Sequence, residues 1–87
     1  MLESDIYQRL TKIFHDVLDD DSIVLTPGLT AKDVEEWDSF NHINLMVAIE
    51  QSFKIKFQTS ELESMKNVGH LVELVEKKAK KLEDGSR

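Results

Sequence analysis

Apolar residues recur at helical spacing in three places along this chain. Ile6, Leu10, Ile13, Phe14, Val17 and Leu18 form one stripe and predict a helix over 4–18, because residues three and four apart share a helix face. Ser4 is its expected N-cap, since a serine hydroxyl can accept from a free first-turn amide. Phe40, Ile43, Leu45, Met46, Val47, Ile49 and Phe53 predict a second helix over 39–53. Its apolar arc is broad, so it is expected to be the most enclosed of the helices. Val68, Leu71, Val72, Val75, Ala79 and Leu82 predict a third over 68–82, with Asn67 at its N-cap. A short helix over 60–65 is expected between the last two, turning Leu62 and Met65 inward. Thr59 or Ser60 would cap it, and Ser60 with Glu63 has capping-box spacing.

Two connecting segments complete the pattern. Ile55-Lys56-Phe57 alternates like a strand but stands alone, so it reads as an extended connector that drops Ile55 and Phe57 onto the core. The interval 19–38 is longer than the ~12–15 residues usual for a structureless loop. It holds Ile23, Val24, Leu25, Leu29, Val34 and Trp37, too many apolar groups for a disordered linker. It is expected to pack over the bundle, with a turn at Pro27-Gly28 and one helical turn capped by Thr30 and carrying Val34. The fold expected is an all-α up-down bundle of three longer helices and one short one. It would form a single domain over 1–82, with a frayed polar tail at 83–87.

Composition narrows the function. A chain of 87 residues builds one domain with a modest core, burying roughly 60–65% of its unfolded surface. That leaves little room for an enclosed active site. There is no cysteine, so disulfides, thiolate metal sites and a cysteine nucleophile are absent, and a reducing, cytoplasmic setting is expected. The first residues carry neither a basic region nor an apolar run, so no signal peptide is expected there. No stretch approaches the ~18 apolar residues that span a membrane. The net charge is −6 and unevenly spread. Residues 1–38 balance at −7, residues 39–66 at zero and residues 67–87 at +1. An acidic first half disfavours nucleic acid and anionic membrane, and favours a basic protein partner.

The long loop ends abruptly at Asp38-Ser39, where the second helix begins. A serine there usually serves as a cap, but aspartate caps well and would leave Ser39 exposed at the first helical position. A phosphate diester on that hydroxyl would lie against unpaired amides and the positive end of the helix dipole. His42 is three residues away, yet no acid orients it and no Gly-x-Ser-x-Gly elbow is present, so a self-catalytic serine is not expected. His15, His42 and His70 lack ligand spacing for a metal site. Asp19-Asp20-Asp21 fails as a calcium loop, because Ile23, Val24 and Thr30 would occupy its ligand, glycine and final glutamate positions. Lys77, Lys78, Lys80 and Lys81 are expected to form a solvated face that complements the last helix dipole.

Glu36-Trp37-Asp38-Ser39-Phe40 resembles the Asp-Ser-Leu motif of acyl carrier proteins. The resemblance continues through Ile43, Leu45, Ala48, Ile49, Glu50 and Phe53, and then Phe57, Leu62, Met65 and Val68, covering about 4–82. It implies that Ser39 receives 4′-phosphopantetheine from coenzyme A and that Asp38 helps the transferase position its metal and coenzyme A. It further implies a non-catalytic, monomeric carrier of acyl thioesters for a fatty acid, polyketide or specialised pathway. Its partners would be a phosphopantetheinyl transferase and acyl-loading and acyl-using enzymes. Trp37, Phe40, Ile43, Met46 and Val47 would line the acyl cleft or meet partners.

Departures from the family pattern are informative. Phe40 replaces leucine and is expected still to anchor the helix start. Trp37 stands where a small or aliphatic residue is common, and either packs on Val34 or rims the arm's exit. Asn41, His42 and Asn44 occupy positions where acids are common, which points to unusual partners. Glu35-Glu36-Trp37 does not match the Gly-Gly pair of peptidyl carriers. The competing reading is a helical protein–protein interaction domain in which Ser39 is only a helix cap.

Overall fold

The computed structural model describes residues 2–85, and side-chain surroundings over 2–79. Helices α1 (Glu3–Leu18), α2 (Ser39–Phe53), α3 (Thr59–Ser64) and α4 (Val68–Gly85) follow in order, with one 3₁₀ turn at Ala31–Asp33. Among the described residues there is no strand, and the expected bundle of three longer helices and a short one is the fold. α1 packs against both α2 and α4. Its Ile6, Leu10 and Phe14 are fully buried and meet Leu45 and Ile49 of α2 and Val68, Leu71 and Val75 of α4 in one core.

Periodicity located the helices but not all of their ends. α1 starts at Glu3 with Leu2 at the N-cap position, so Ser4 lies inside the first turn and does not cap. The backbone of Leu2 supplies the first acceptor, for the Ile6 amide, while Glu3 and Asp5 favour the positive end of the dipole. α3 likewise starts at Thr59, one residue early, and neither Thr59 nor Ser60 is its cap. The box is Gln58 with Glu61, whose carboxylate accepts the Gln58 amide at 2.8 Å, in place of Ser60 with Glu63. Asn67 does cap α4, accepting the His70 amide at 2.8 Å. α4 runs to Gly85, so residues 83–85 of the expected frayed tail continue the helix, and 86–87 lie outside the described residues.

α2 is not the most enclosed helix. Leu45, Met46, Ile49 and Phe53 are buried, but Phe40, Ile43 and Val47 on its other side are 73%, 62% and 46% exposed. The arc is broad because α2 has two apolar faces, and only one meets the bundle. Phe40 therefore does not anchor the helix start.

The long loop packs as expected. Ile23, Val34 and Trp37 are buried and Leu25 and Leu29 are half-buried against the core, with Val24 the exposed exception. Four hydrogen bonds fasten it. His15 Nε2 donates to the Ile23 carbonyl at 2.7 Å. The Leu29 amide closes the Pro27-Gly28 turn on the Thr26 carbonyl. The amides of Val68 and Gly69, both free at the start of α4, donate to the carbonyls of Leu29 and Pro27 at 2.9 Å each. Gly69 permits that approach, since a Cβ there would stand 3.0 Å from the Pro27 oxygen.

The 3₁₀ turn is set by Thr30, whose amide and hydroxyl both donate to Asp33 at 3.0 and 3.2 Å. Beyond α2, Ile55 is buried and Phe57 half-buried, as the connector reading requires. One lysine of the expected solvated face is engaged instead. Lys78 reaches Glu61 at 2.9 Å and lies over the Phe57 ring at 5.9 Å, tying α4 to α3.

Candidate attachment site at the start of α2

Asp38, in extended conformation, is the N-cap of α2. Its Oδ1 accepts the Asn41 amide at 2.8 Å, and its carbonyl accepts the His42 amide at 2.8 Å. The cap is thus aspartate, and Ser39 is the first helical residue, exposed. No hydrogen bond holds its hydroxyl among the described residues. This removes the premise of the competing reading, in which Ser39 was itself the cap. The amides of Ser39 and Phe40 face outward at the helix start, where charge is positive. An additional brace holds the junction: Asn41 Nδ2 donates to the Glu36 carbonyl at 2.8 Å.

Trp37 closes the site from below. It is 5% exposed and meets Phe14 of α1 edge to face, with centroids 5.1 Å apart. Its Nε1–H donates to His42 Nδ1 at 3.0 Å, and the two rings stack at 6.1 Å. With Nδ1 accepting, neutral His42 carries its proton on Nε2. Burial also pushes its pKa below the ordinary histidine value. In this state neither ring nitrogen can take a proton from Ser39.

Ala31, Lys32, Trp37, Asp38, Ser39 and His42 line an open hollow of about 510 Å³. Trp37 is buried in the core together with Val34 and also lines this hollow. The other residues expected at the acyl cleft divide. Phe40, Ile43 and Val47 are exposed along one stripe of α2, while Met46 is 2% exposed and lies in the core. Sequence reasoning missed Lys32 and the Asn41 brace. Asn41, three residues after Asp38, sits at the spacing of a cap partner, whereas Lys32 carried no signal. At the loop start, Asp20 accepts the amide and hydroxyl of Ser22. Among the described residues no group of three metal-ligating side chains is assembled, and no helix is long and apolar enough to cross a membrane.

No family model matches the chain, and no curated protein matches it. A solved structure does. The solution NMR structure of holo acyl carrier protein from Geobacter metallireducens superposes with a TM-score of 0.82 and is 54% identical, over 88% of this chain and 90% of that one. Fold and site define a small non-catalytic helical carrier. The chain belongs to the acyl carrier protein family.

Proposed function

We propose that Ser39 carries the 4′-phosphopantetheine arm of this acyl carrier and that Asp38 supports its installation. The observation that carries this reading is the division of labour at the junction. Asp38 caps the helix, which leaves the adjacent serine hydroxyl exposed and without structural duty. The residues present suit the group. A phosphate diester on Ser39 Oγ meets the open amides of the first turn, and Lys32 lines the same hollow. The arm, when attached, supplies a terminal thiol that holds acyl groups as thioesters. The chain itself supplies attachment, orientation and recognition.

The family implies a phosphopantetheinyl transferase and acyl-processing enzymes as partners. The exposed stripe Phe40, Ile43 and Val47 begins one residue after Ser39, so an enzyme that reaches the arm's root meets it. Core packing and the absence of cysteine support a single carrier domain over 1–82 working in the cytoplasm. Incubation with coenzyme A and a phosphopantetheinyl transferase tests the assignment. Intact mass should rise by one phosphopantetheine on the wild type and not at all on Ser39→Ala. Label persisting on the alanine variant would overturn it.

A further inference from the structure

Asn41 ties the end of the long loop to the first turn of α2 twice. Its backbone amide donates to Asp38 Oδ1 at 2.8 Å, and its side-chain Nδ2 donates to the Glu36 carbonyl at 2.8 Å. The Asp38 amide donates to that same Glu36 carbonyl at 3.1 Å. A bond from residue i+2 back to residue i closes a γ-turn, here centred on Trp37. A carbonyl oxygen has two lone pairs, so it holds both donors at once.

This is not an ordinary capping box, in which the side chain at the third helical position accepts the N-cap amide. Asn41 stands at that third position, since Asp38 is the N-cap and Ser39 the first helical residue. The Asp38 amide is already engaged by the Glu36 carbonyl, and Asn41 reaches past it to the same oxygen. An ionised aspartate or glutamate has no donor, so neither could make this bond. The asparagine that stands where acids are common is therefore what fastens the loop. Trp37 holds the segment from the other side. It is 5% exposed, and its amide donates to the Val34 carbonyl at 3.1 Å. Glu36-Trp37-Asp38 is thus pinned between the core and the first turn. The exposed acids Glu35, Glu36 and Asp38 are held in place with it.

We propose that Asn41 is a positioning residue for the loading of Ser39. By bracing the Glu36 carbonyl it fixes the acidic loop end against the first turn, and it presents that end and Ser39 to the transferase in one arrangement. The inference rests on attachment at Ser39. Asn41 acts through the loop and takes no part in bond making. Without its side chain the loop end samples other arrangements, and only the competent fraction docks. Apparent affinity then falls by that fraction. The cost appears in KM for the protein acceptor, while kcat is unchanged.

The experiment offers the unloaded protein to a phosphopantetheinyl transferase with saturating coenzyme A. Intact mass of the wild type and of Ser39→Ala first reports whether Ser39 is the acceptor, so failure of the attachment reading is seen separately. Asn41→Ala removes the brace but keeps the Asp38 cap, which is made to the backbone amide. It should raise KM severalfold and leave kcat as in the wild type. NMR order parameters over 35–38 should fall, while core amides of α1 and α4 keep wild-type protection, which separates a loosened loop from a destabilised fold. Asn41→Asp separates the brace from charge. At high salt, where the added charge is screened, it should show the raised KM of Asn41→Ala. A wild-type KM in Asn41→Ala, or a fall in kcat alone, would overturn the proposal. So would Asn41→Asp that matches the wild type at high salt.

Discussion

Trp37 and His42 face each other across the first turn of α2, with indole Nε1–H donating to imidazole Nδ1 at 3.0 Å. This one bond joins the end of the long loop to the helix that follows. Because Trp37 also sits edge-on against Phe14, the bond links the Ser39 junction to the centre of the core. A rigid junction is useful to a carrier, since the orientation of its arm depends on a single residue.

The pair makes stability depend on pH. Burial holds the His42 pKa below the ordinary histidine value, so between the two values the unfolded chain binds a proton that the folded chain refuses. Stability then rises with pH through that interval. The contribution is complete above the ordinary value and is lost as pH falls through the folded value. Protonation of Nδ1 also ends its role as acceptor. Asp38 and Lys32 line the same hollow as the ring, but burial is the cause of the shift. Urea midpoints should fall between about pH 7.5 and about pH 5.5, on either side of the ordinary histidine value. His42→Gln should flatten that slope. An unchanged slope would show that another group is responsible.

Gly69→Ala should loosen the long loop. The added Cβ would meet the Pro27 carbonyl at 3.0 Å, against backbone that cannot swing aside. We expect a loss of about 1–3 kcal/mol, typical of overpacking. Hydrogen exchange should also quicken at Val68 and residue 69, whose amides hold the loop. Wild-type exchange at these two amides as fast as in free peptide would refute the packed loop outright.

Asp38→Ala should cost about 1 kcal/mol for the lost cap and slow loading by the transferase, with the helices intact by circular dichroism. Asp38→Asn separates the two roles. It retains an acceptor for the Asn41 amide, so it should restore stability but not the loading rate. Equal rates for Asn and Asp would reduce Asp38 to a cap.

The clamp between α3 and α4 is modest. Glu61 is held below the usual carboxylate range first by the Gln58 amide and then by Lys78. Its contribution is present above the ordinary glutamate value and is lost as pH falls through the lower folded one. Both partners remain partly exposed, so Lys78→Gln should cost under ~1 kcal/mol. It should also move the Glu61 titration upward in carboxyl-detected NMR.

Helix positions were legible because burial follows period. The buried faces of α1 and α4 are those that the spacing of Ile6, Leu10 and Phe14 and of Val68, Leu71 and Val75 marks out. Caps were less legible. Ser4 and Ser60 had suitable side chains, but the helices start earlier. The Leu2 carbonyl accepts the Ile6 amide, the Gln58 carbonyl accepts the Glu61 and Leu62 amides, and the Glu61 carboxylate accepts the Gln58 amide. The exposed stripe of α2 could not be seen, since an apolar arc does not say which part of it the same chain covers. At the site, Asp38 and Ser39 were readable from local chemistry. The Trp37–His42 bond was not, because it spans a loop–helix junction where no fixed period applies.

Partner choice follows from the charges on α2. Glu50 is the only acid over residues 39–53, and it is turned inward, its Oε2 accepting the Phe57 amide at 2.7 Å. The outward face presents Phe40, Ile43, Val47 and Asn44 instead, all exposed. An enzyme that reads carriers through a basic patch finds no counter-charge there. Exposed ion pairs are worth about 0.2–1 kcal/mol each, so three missing acids weaken docking about 3- to 150-fold if they add. The remaining acids near Ser39, namely Asp33, Glu35, Glu36 and Asp38, all precede it and are exposed, which moves any charge-steered contact toward the loop. We therefore expect dedicated partners with an apolar socket for the α2 stripe and poor service by general fatty acid synthesis enzymes. Loading of malonate by a general malonyl transferase should be inefficient beside that of a carrier with an acidic second helix. Asn44→Glu should raise it, most at low salt, and is the cleaner change. Asn41→Asp would remove the donor that braces the Glu36 carbonyl, disturbing the junction along with the charge. Wild-type efficiency equal to that of the acidic-helix carrier at low and moderate salt would refute the specialisation, whatever Asn44→Glu does.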